Sequence, residues 1–320
     1  MNSSFPALAA QLPGLQRNVW LAPYTTVKIG GPADYFLVAR SADVIERAFR
    51  AASELYIPCT VLGGGSNVLI ADSGVRGLTL RLFDETVLFS GTSVTVGAGF
   101  NLSRLAQLAA ERSLSGLECA MGIPGTVGGA VRGNAGAFGW EIKDVLVRIE
   151  MLTDHCTRVV LTPAEMEFGY RTSRITETHE TVLSVTLALR KADATSIRSS
   201  TQEKLAYRRE RQPLDRPSFG SAFRNVPLTT IAKRVQEEYD MTAQTVRGMV
   251  PAGFLLDRLD LKGYRVGDAQ VSEKHANFLV NCGSATAEQM IMLVGVLKQK
   301  VRTAFGGLEL KEEFHYVGFI

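Results

Sequence analysis

The sequence predicts an α+β protein of two or three domains, and three observations carry that expectation. Strand-like apolar runs alternate with amphipathic helical stretches as far as about residue 192; a polar helical stretch over 194–211 then breaks the alternation; and 320 residues exceed what one hydrophobic core usually organises. The first region opens as β-α-β, with a strand over 35–38, a helix over 41–53 carrying Asp43 and Glu46 in its first turn, and a strand over 60–62. Strands over 68–70 and 78–82 follow. A second region begins near residue 86 and holds a strand over 93–96, a helix over 102–112, glycine-rich sequence over 116–139, and strands over 147–152, 158–161 and 181–189. The 194–211 helix reads as a connector that ends before Gln212-Pro213, because a proline disfavours helical backbone in the residue ahead of it. The third region starts at Pro217. In it Thr286 and Gln289 form a capping box, Met290, Leu293, Val294, Leu297 and Val301 share one helix face, and Gly306-Gly307 stop that helix. Strands over 308–310 and 314–317 then place Glu313 between them.

Composition narrows the function. Hydrophobic residues make up 46% and charged residues 21%, the profile of a soluble globular enzyme. A net charge of +3 with both signs interspersed gives nucleic acid no basic surface to recognise. Cys59, Cys119, Cys156 and Cys282 lie far apart, without a CxxC pair or a disulfide framework, so reduced thiols and a cytoplasmic location are expected. The first 16 residues lack a basic n-region, and Pro6 and Pro13 bracket their apolar run, which does not suit a signal peptide. No stretch approaches the ~18 apolar residues of a membrane span. His155, His179, His275 and His315 show no HxxxH spacing and no carboxylate cluster appears, so no metal is expected. The Gly-x-Ser-x-Gly elbow of serine hydrolases is missing.

Four motifs carry chemistry. Gly63-Gly64-Gly65-Ser66-Asn67 follows a strand, where glycines let backbone N–H groups approach a phosphate; a flexible turn explains the same residues equally well. The Rossmann pattern fails at Val68, and a strand rather than a helix comes next. In Gly122-Ile123-Pro124-Gly125-Thr126-Val127-Gly128-Gly129-Ala130, Pro124 is expected to open a helix whose small residues leave its first amides exposed to a diphosphate. Asn134, in Gly133-Asn134-Ala135-Gly136, extends the same surface, and two such cradles suit one dinucleotide. Tyr170-Arg171 sets a guanidinium beside a phenol, a pair fit to hold a carboxylate or an enolate, although a surface arginine is the ordinary alternative. Gly220-Ser221 offers a hydroxyl on a glycine turn that could deliver a proton or could simply shape the turn. Arg208 and Arg211 on the connector are the candidate cations for a substrate diphosphate.

Taken in order, these segments resemble the UDP-N-acetylenolpyruvoylglucosamine reductase family from about residue 24 to 318. The resemblance rests on Tyr24-Thr25-Thr26, Ile29-Gly30-Gly31-Pro32-Ala33-Asp34, residues 62–69 and 116–139, Gly169-Tyr170-Arg171, Gly220-Ser221-Ala222-Phe223, Ala252-Gly253-Phe254-Leu255-Leu256-Asp257 and Leu261-Lys262-Gly263. It implies a two-subdomain FAD-binding fold of the vanillyl-alcohol-oxidase type over residues 21–192, divided near 85, after an N-terminal extension of 20 residues. A connector over 193–216 and a C-terminal α+β substrate domain over 217–320 complete the expected layout. The implied activity is that of a UDP-N-acetylmuramate dehydrogenase of bacterial peptidoglycan synthesis. NADPH, the co-substrate, reduces noncovalent FAD, and flavin N5 then reduces UDP-N-acetylglucosamine enolpyruvate. The resemblance assigns Arg171 and Glu313 to stabilising an enolate-like intermediate and Ser221 to donating the proton. Asn225 and His275 match substrate-side positions, and Arg211 stands near a position often held by lysine.

A monomer is expected. Phe138 stands where many members carry tyrosine and His315 where arginine is common; residues 225–252 are longer than the shorter form of the family usually has, while 174–184 resembles that shorter form, which lacks the tyrosine clamp loop. Two other readings stay open. One is a sugar or alcohol oxidase of the same cofactor fold, disfavoured because no histidine that could tether FAD precedes His155; the other is a non-catalytic FAD or UDP-sugar binder.

Overall fold

The structure, a computed structural model, describes residues 4–178 and 180–319, so His179 and the first three residues of the expected extension lie outside the described residues. Two compact units divide the chain. The first holds residues 4–19, Pro32–Gly65 and Val75–Arg208; the second holds Trp20–Gly31, Ser66–Gly74 and residues 209–319. The units are therefore not consecutive blocks of sequence, as the linear layout had them. Residues 66–74 join the second because the strand Val68–Ile70 runs parallel to His315–Val317.

In the first unit, the strands Pro32–Ala39 and Cys59–Leu62 each run parallel to Val75–Leu82, which lies between them. The expected helix forms as Ala42–Glu54, capped by the Ser41 hydroxyl, and buries Ile45, Ala48, Ala51 and Ala52; three alanines of four let it lie close to its neighbours. A second sheet, antiparallel throughout, runs in the order Arg158–Leu161, Leu146–Leu152, Thr181–Ala188, Ser93–Gly97, Val87–Ser90. One core joins Leu78 and Leu80 to Ile149, Leu183 and the helix Leu102–Glu111.

The second unit packs around the helix Ala287–Ala304. Its capping box forms as expected between Thr286 and Gln289, and both oxygens of Asp72 accept from the Ala287 and Glu288 amides. An antiparallel sheet runs Ser218–Ser221, Phe278–Asn281, Ala269–Val271, Arg265–Val266, with Ser218–Ser221 at its edge. The long 225–252 segment packs into this core: Val226–Pro227 pairs with Met249–Val250, Val235 and Met241 are buried, and the Tyr239 ring meets Phe305 edge-on at 4.7 Å. One expected strand is absent. Residues 308–310 are irregular, and the apolar alternation there marks Leu308 and Leu310 filling the core. Antiparallel hydrogen bonding begins only at Lys311, whose carbonyl accepts from Arg224 N.

Candidate active site

The first unit brings the two glycine-rich cradles together. A Cβ on Gly64 would stand 2.7 Å from Gly125 Cα, so the loops approach to a distance that only glycine permits, and a Cβ on Gly63 would stand equally close to the Thr126 hydroxyl. One expectation fails here. Pro124 does not open a helix: the helix is Val127–Arg132 and Thr126 is its N-cap. Its first amides are already spent, Val127 N on Phe100 O, Gly128 N on Ala98 O (both 2.9 Å) and Gly129 N on the Thr126 hydroxyl. The helix start lies against the 98–100 carbonyls, which satisfy the donors that a diphosphate was expected to meet. Gly122 N is likewise held by the Ser103 hydroxyl and Ile123 N by Ala120 O.

Behind these loops Asn134 is fully buried, with left-handed backbone (φ 41°). Its Nδ2 donates to Glu141 Oε2 (3.1 Å) and Gly169 O (2.9 Å). Both partners are acceptors, which fixes the amide's orientation and leaves Oδ1 buried without a donor among the described residues. Burial raises the Glu141 carboxyl pKa, yet hydrogen bonds from Lys143 and Asn134 and the charges of Lys143 and Arg171 together hold it below its usual range.

Tyr170 and Arg171 occupy the centre of a tight turn, in which Gly169 N donates to Thr172 O and Thr172 N to Gly169 O. Arg171 adopts φ 57°, a conformation normally left to glycine or asparagine. Its guanidinium donates to Gly136 O at 3.1 Å and stands 5.5 Å from the Tyr170 ring centre.

Arg208 is buried, and burial lowers its pKa. Its donors grip Met121 O (3.1 Å) and Cys119 O (3.4 Å), which braces the turn entering Gly122. Phe138 meets the Tyr207 ring edge-on and has both Lys204 and the buried Arg208 within 5.5 Å of its centre, two exposed rings packed with cations and built without a hydroxyl at residue 138.

The second unit holds Ser66, Asn67, Arg211, Ser221, Asn225, His275 and Glu313. Ser221 ends an edge strand in which Ser218 pairs with Val280 but Ser221 with Phe278, so the Ser221 strand carries one extra residue. Gly220 takes up this bulge at φ 82°, a conformation open to glycine, and bulges at sheet edges re-aim the side chain that follows. Glu313 lies alongside, its N–H donating to Ala222 O at 2.8 Å, and Asn67 Nδ2 donates to Glu313 O at 3.0 Å. Asn225 Oδ1 accepts from Ala252 N, tying the two ends of the 225–252 segment. Arg211 is exposed.

His275 Nδ1 accepts from Asn277 N (3.1 Å), so the neutral ring carries its proton on Nε2. Burial first, then the Lys262 charge, lowers its pKa and favours that neutral form. Sequence reading passed over Asn277, a buried residue whose amide brackets the Phe223 backbone. Its signal was a lone amide inside the apolar run Ala276-Asn277-Phe278-Leu279-Val280. Of the three candidate catalytic residues, Ser221 and Glu313 belong to the second unit, where Glu313 bonds to the residue after Ser221, and Arg171 belongs to the first.

The chain is similar to known proteins across both units. The family described as the C-terminal domain of UDP-N-acetylenolpyruvoylglucosamine reductase matches residues 212–317, and the FAD binding domain family matches residues 33–162. A UDP-N-acetylenolpyruvoylglucosamine reductase 2 of Symbiobacterium thermophilum is 40% identical over 288 residues, covering 89% of this chain and 87% of its own length. The reductase of Anoxybacillus flavithermus is 36% identical over 97% of both chains. The crystal structure of UDP-N-acetylenolpyruvylglucosamine reductase from Thermus caldophilus superposes with a TM-score of 0.77 at 36% identity, covering 95% of this chain and 98% of that one.

Proposed function

The chain belongs to the UDP-N-acetylenolpyruvoylglucosamine reductase family, and on that premise we propose that Arg171, Ser221 and Glu313 carry its chemistry. The reaction is the NADPH-dependent reduction of UDP-N-acetylglucosamine enolpyruvate to UDP-N-acetylmuramate, with FAD as cofactor. The residues present fit that cofactor: two glycine loops meet at contact distance, and the buried Asn134 Oδ1 is an acceptor that a ligand N–H can satisfy. Gly63, Gly64, Gly65, Ser66, Asn67, residues 122–126 and Asn134 would hold it. Bound FAD supplies hydride transfer, from NADPH and then to the terminal carbon of the enolpyruvyl ether.

The chain's own side chains deal with the charge and proton that follow. Hydride addition leaves negative charge delocalised onto the substrate carboxylate, and the Arg171 fork is suited to hold it through fixed donors. The Ser221 hydroxyl protonates the neighbouring carbon, which completes the lactyl ether, and Glu313 steadies the same intermediate. The observation that carries this reading is the Glu313 N–H bond to Ala222 O beside the bulge at Gly220, which supports Ser221 and Glu313 acting on one substrate group. Tyr170, Arg211, Asn225 and His275 contribute to substrate binding. Arg208, with its donors on Met121 and Cys119, contributes by shaping the Gly122 turn. We place the work in cytoplasmic peptidoglycan precursor synthesis by a monomer of the shorter family form. Among the described residues no helix is long and apolar enough to cross a membrane.

Ser221→Ala tests the assignment. Flavin reduction by NADPH should persist, whereas product formation should fall by about 10² to 10⁴. Because hydride can leave the flavin before the proton arrives, lactyl product and solvent deuterium at the new carbon must be followed besides flavin absorbance. Undiminished product would remove Ser221 from the role.

A further inference from the structure

Beyond the residues that would touch substrate, the second unit contains a side-chain clamp where the pairing of Ser218–Ser221 with Phe278–Asn281 ends. Asn277 is 4% exposed, and every polar group it owns is used. Its Oδ1 accepts from Phe223 N and its Nδ2 donates to Phe223 O, both at 2.9 Å, so one side chain satisfies both backbone groups of a single residue. The Asn277 carbonyl accepts from Ala222 N at 2.8 Å, and the Asn277 N–H donates to His275 Nδ1 at 3.1 Å. Ala222 and Phe223 are the two residues that follow Ser221. The Ala222 carbonyl, facing the other way, accepts from Glu313 N.

Sheet register has already slipped at this point. After the bulge at Gly220 the regular pairing of Ser218–Ser221 with Phe278–Asn281 ends; an antiparallel bridge between Phe223 and Glu312 holds one edge of the backbone leaving Ser221, and the Phe223 N–H and C=O on the other edge are left for a different partner. The Asn277 amide takes the place of a strand partner on that edge by imitating a peptide group. From this we infer that Asn277 is a positioning residue for the protonation step: it fixes the backbone that aims Ser221, sets the proton of His275 on Nε2, and through Ala222 keeps Glu313 in line. This inference rests on the reading of Ser221 as the proton donor. A donor moved by about 1 Å costs on the order of 100-fold in rate, so losing the clamp should be felt in the step that needs Ser221 and nowhere else.

The test uses the full-length flavoprotein and two variants. Asn277→Asp keeps the shape and the acceptor but turns the Nδ2 donor into a second acceptor facing Phe223 O; Asn277→Leu keeps the volume and loses both. Each should reduce its flavin with NADPH within about twofold of the parent rate, yet form lactyl product about 10- to 100-fold more slowly. Combined with Ser221→Ala, Asn277→Asp should add little further loss, because two residues serving one function are not additive. Equal slowing of both half-reactions, no slowing of product, or a fully additive double variant would each overturn the inference. Failure of the Ser221 reading is separable: Ser221→Ala alone would then form product at the parent rate. If neither Asn277 variant folds, amide hydrogen exchange on the parent protein decides. Protection of the Ala222 and Phe223 amides equal to that of the strand Phe278–Asn281 supports the clamp, and exchange at the rate of an open loop refutes it.

Discussion

Gly64→Ala is the sharpest perturbation of the cofactor cradle. The added methyl would lie 2.7 Å from Gly125 Cα, 3.2 Å from Gly125 C and 3.4 Å from Thr126 N, all backbone atoms that cannot rotate away. Non-bonded carbons settle about 3.5 to 4.0 Å apart, so the two loops must separate by about 1 Å. Overpacking of this kind costs about 1–3 kcal/mol. Since both loops are proposed to hold the same dinucleotide, most of that cost should appear in cofactor binding, raising the FAD dissociation constant by about 10- to 100-fold. Titration of the apoprotein with FAD, followed by flavin fluorescence, measures it. Gly133→Ala is the control: its methyl would meet only Gly129 O at 3.7 Å, and its φ of −95° suits alanine. Gly64→Ala protein that binds FAD within twofold of the parent would refute the idea that the paired glycine loops form the cradle.

Two further substitutions separate function from stability. Arg171 occupies a left-handed position that costs a non-glycine residue about 1 kcal/mol, so Arg171→Gly should leave thermal stability unchanged or raise it slightly. Reoxidation of reduced flavin by substrate should meanwhile slow by about 10² or more, and a loss of stability instead would show that the strain has no functional cause. His275 favours its neutral form in the fold, chiefly through burial, and has an ordinary value of 6.5 when unfolded. Its contribution is therefore complete above that value and is lost as pH falls and the unfolded chain takes up a proton that the folded one resists. Urea midpoints at about pH 7.5 and about pH 5.5 should diverge more in the parent than in His275→Gln; identical pH dependence in both would exclude His275 as a source of acid sensitivity.

Much of the fold is legible in the sequence because its signals are local. Thr286 with Gln289 is a capping box that forms as written, the helix expected over 41–53 forms as Ala42–Glu54, and the strands at 59–62, 93–97 and 146–152 follow from short β-rich runs between turns. The turn at Gly220-Ser221 is legible for the same reason, whereas the role proposed for Ser221 came from the family resemblance and not from the residues alone. What escaped depends on distant partners. The Glu313 bond to Ala222 joins positions 91 apart through backbone atoms, which carry no residue signature. The first amides of the Val127–Arg132 helix are consumed by carbonyls at 98 and 100, so a motif that looks like an anion site proves internally satisfied. Leu308 and Leu310 show the limit of periodicity, because an alternating apolar pattern reports burial and only indirectly pairing. Asn277 escaped because a buried amide reads as an exception in an apolar run until the backbone it clamps is known.

One measurement tests the assigned reaction most directly. Under strict anaerobiosis the yellow holoprotein is bleached with one equivalent of NADPH, and UDP-N-acetylglucosamine enolpyruvate is then added. Immediate return of the flavin absorbance, with one equivalent of UDP-N-acetylmuramate formed, is the expected result. A flavin that stays bleached until air is admitted would contradict the reductase assignment and point to an oxidase of the same cofactor fold.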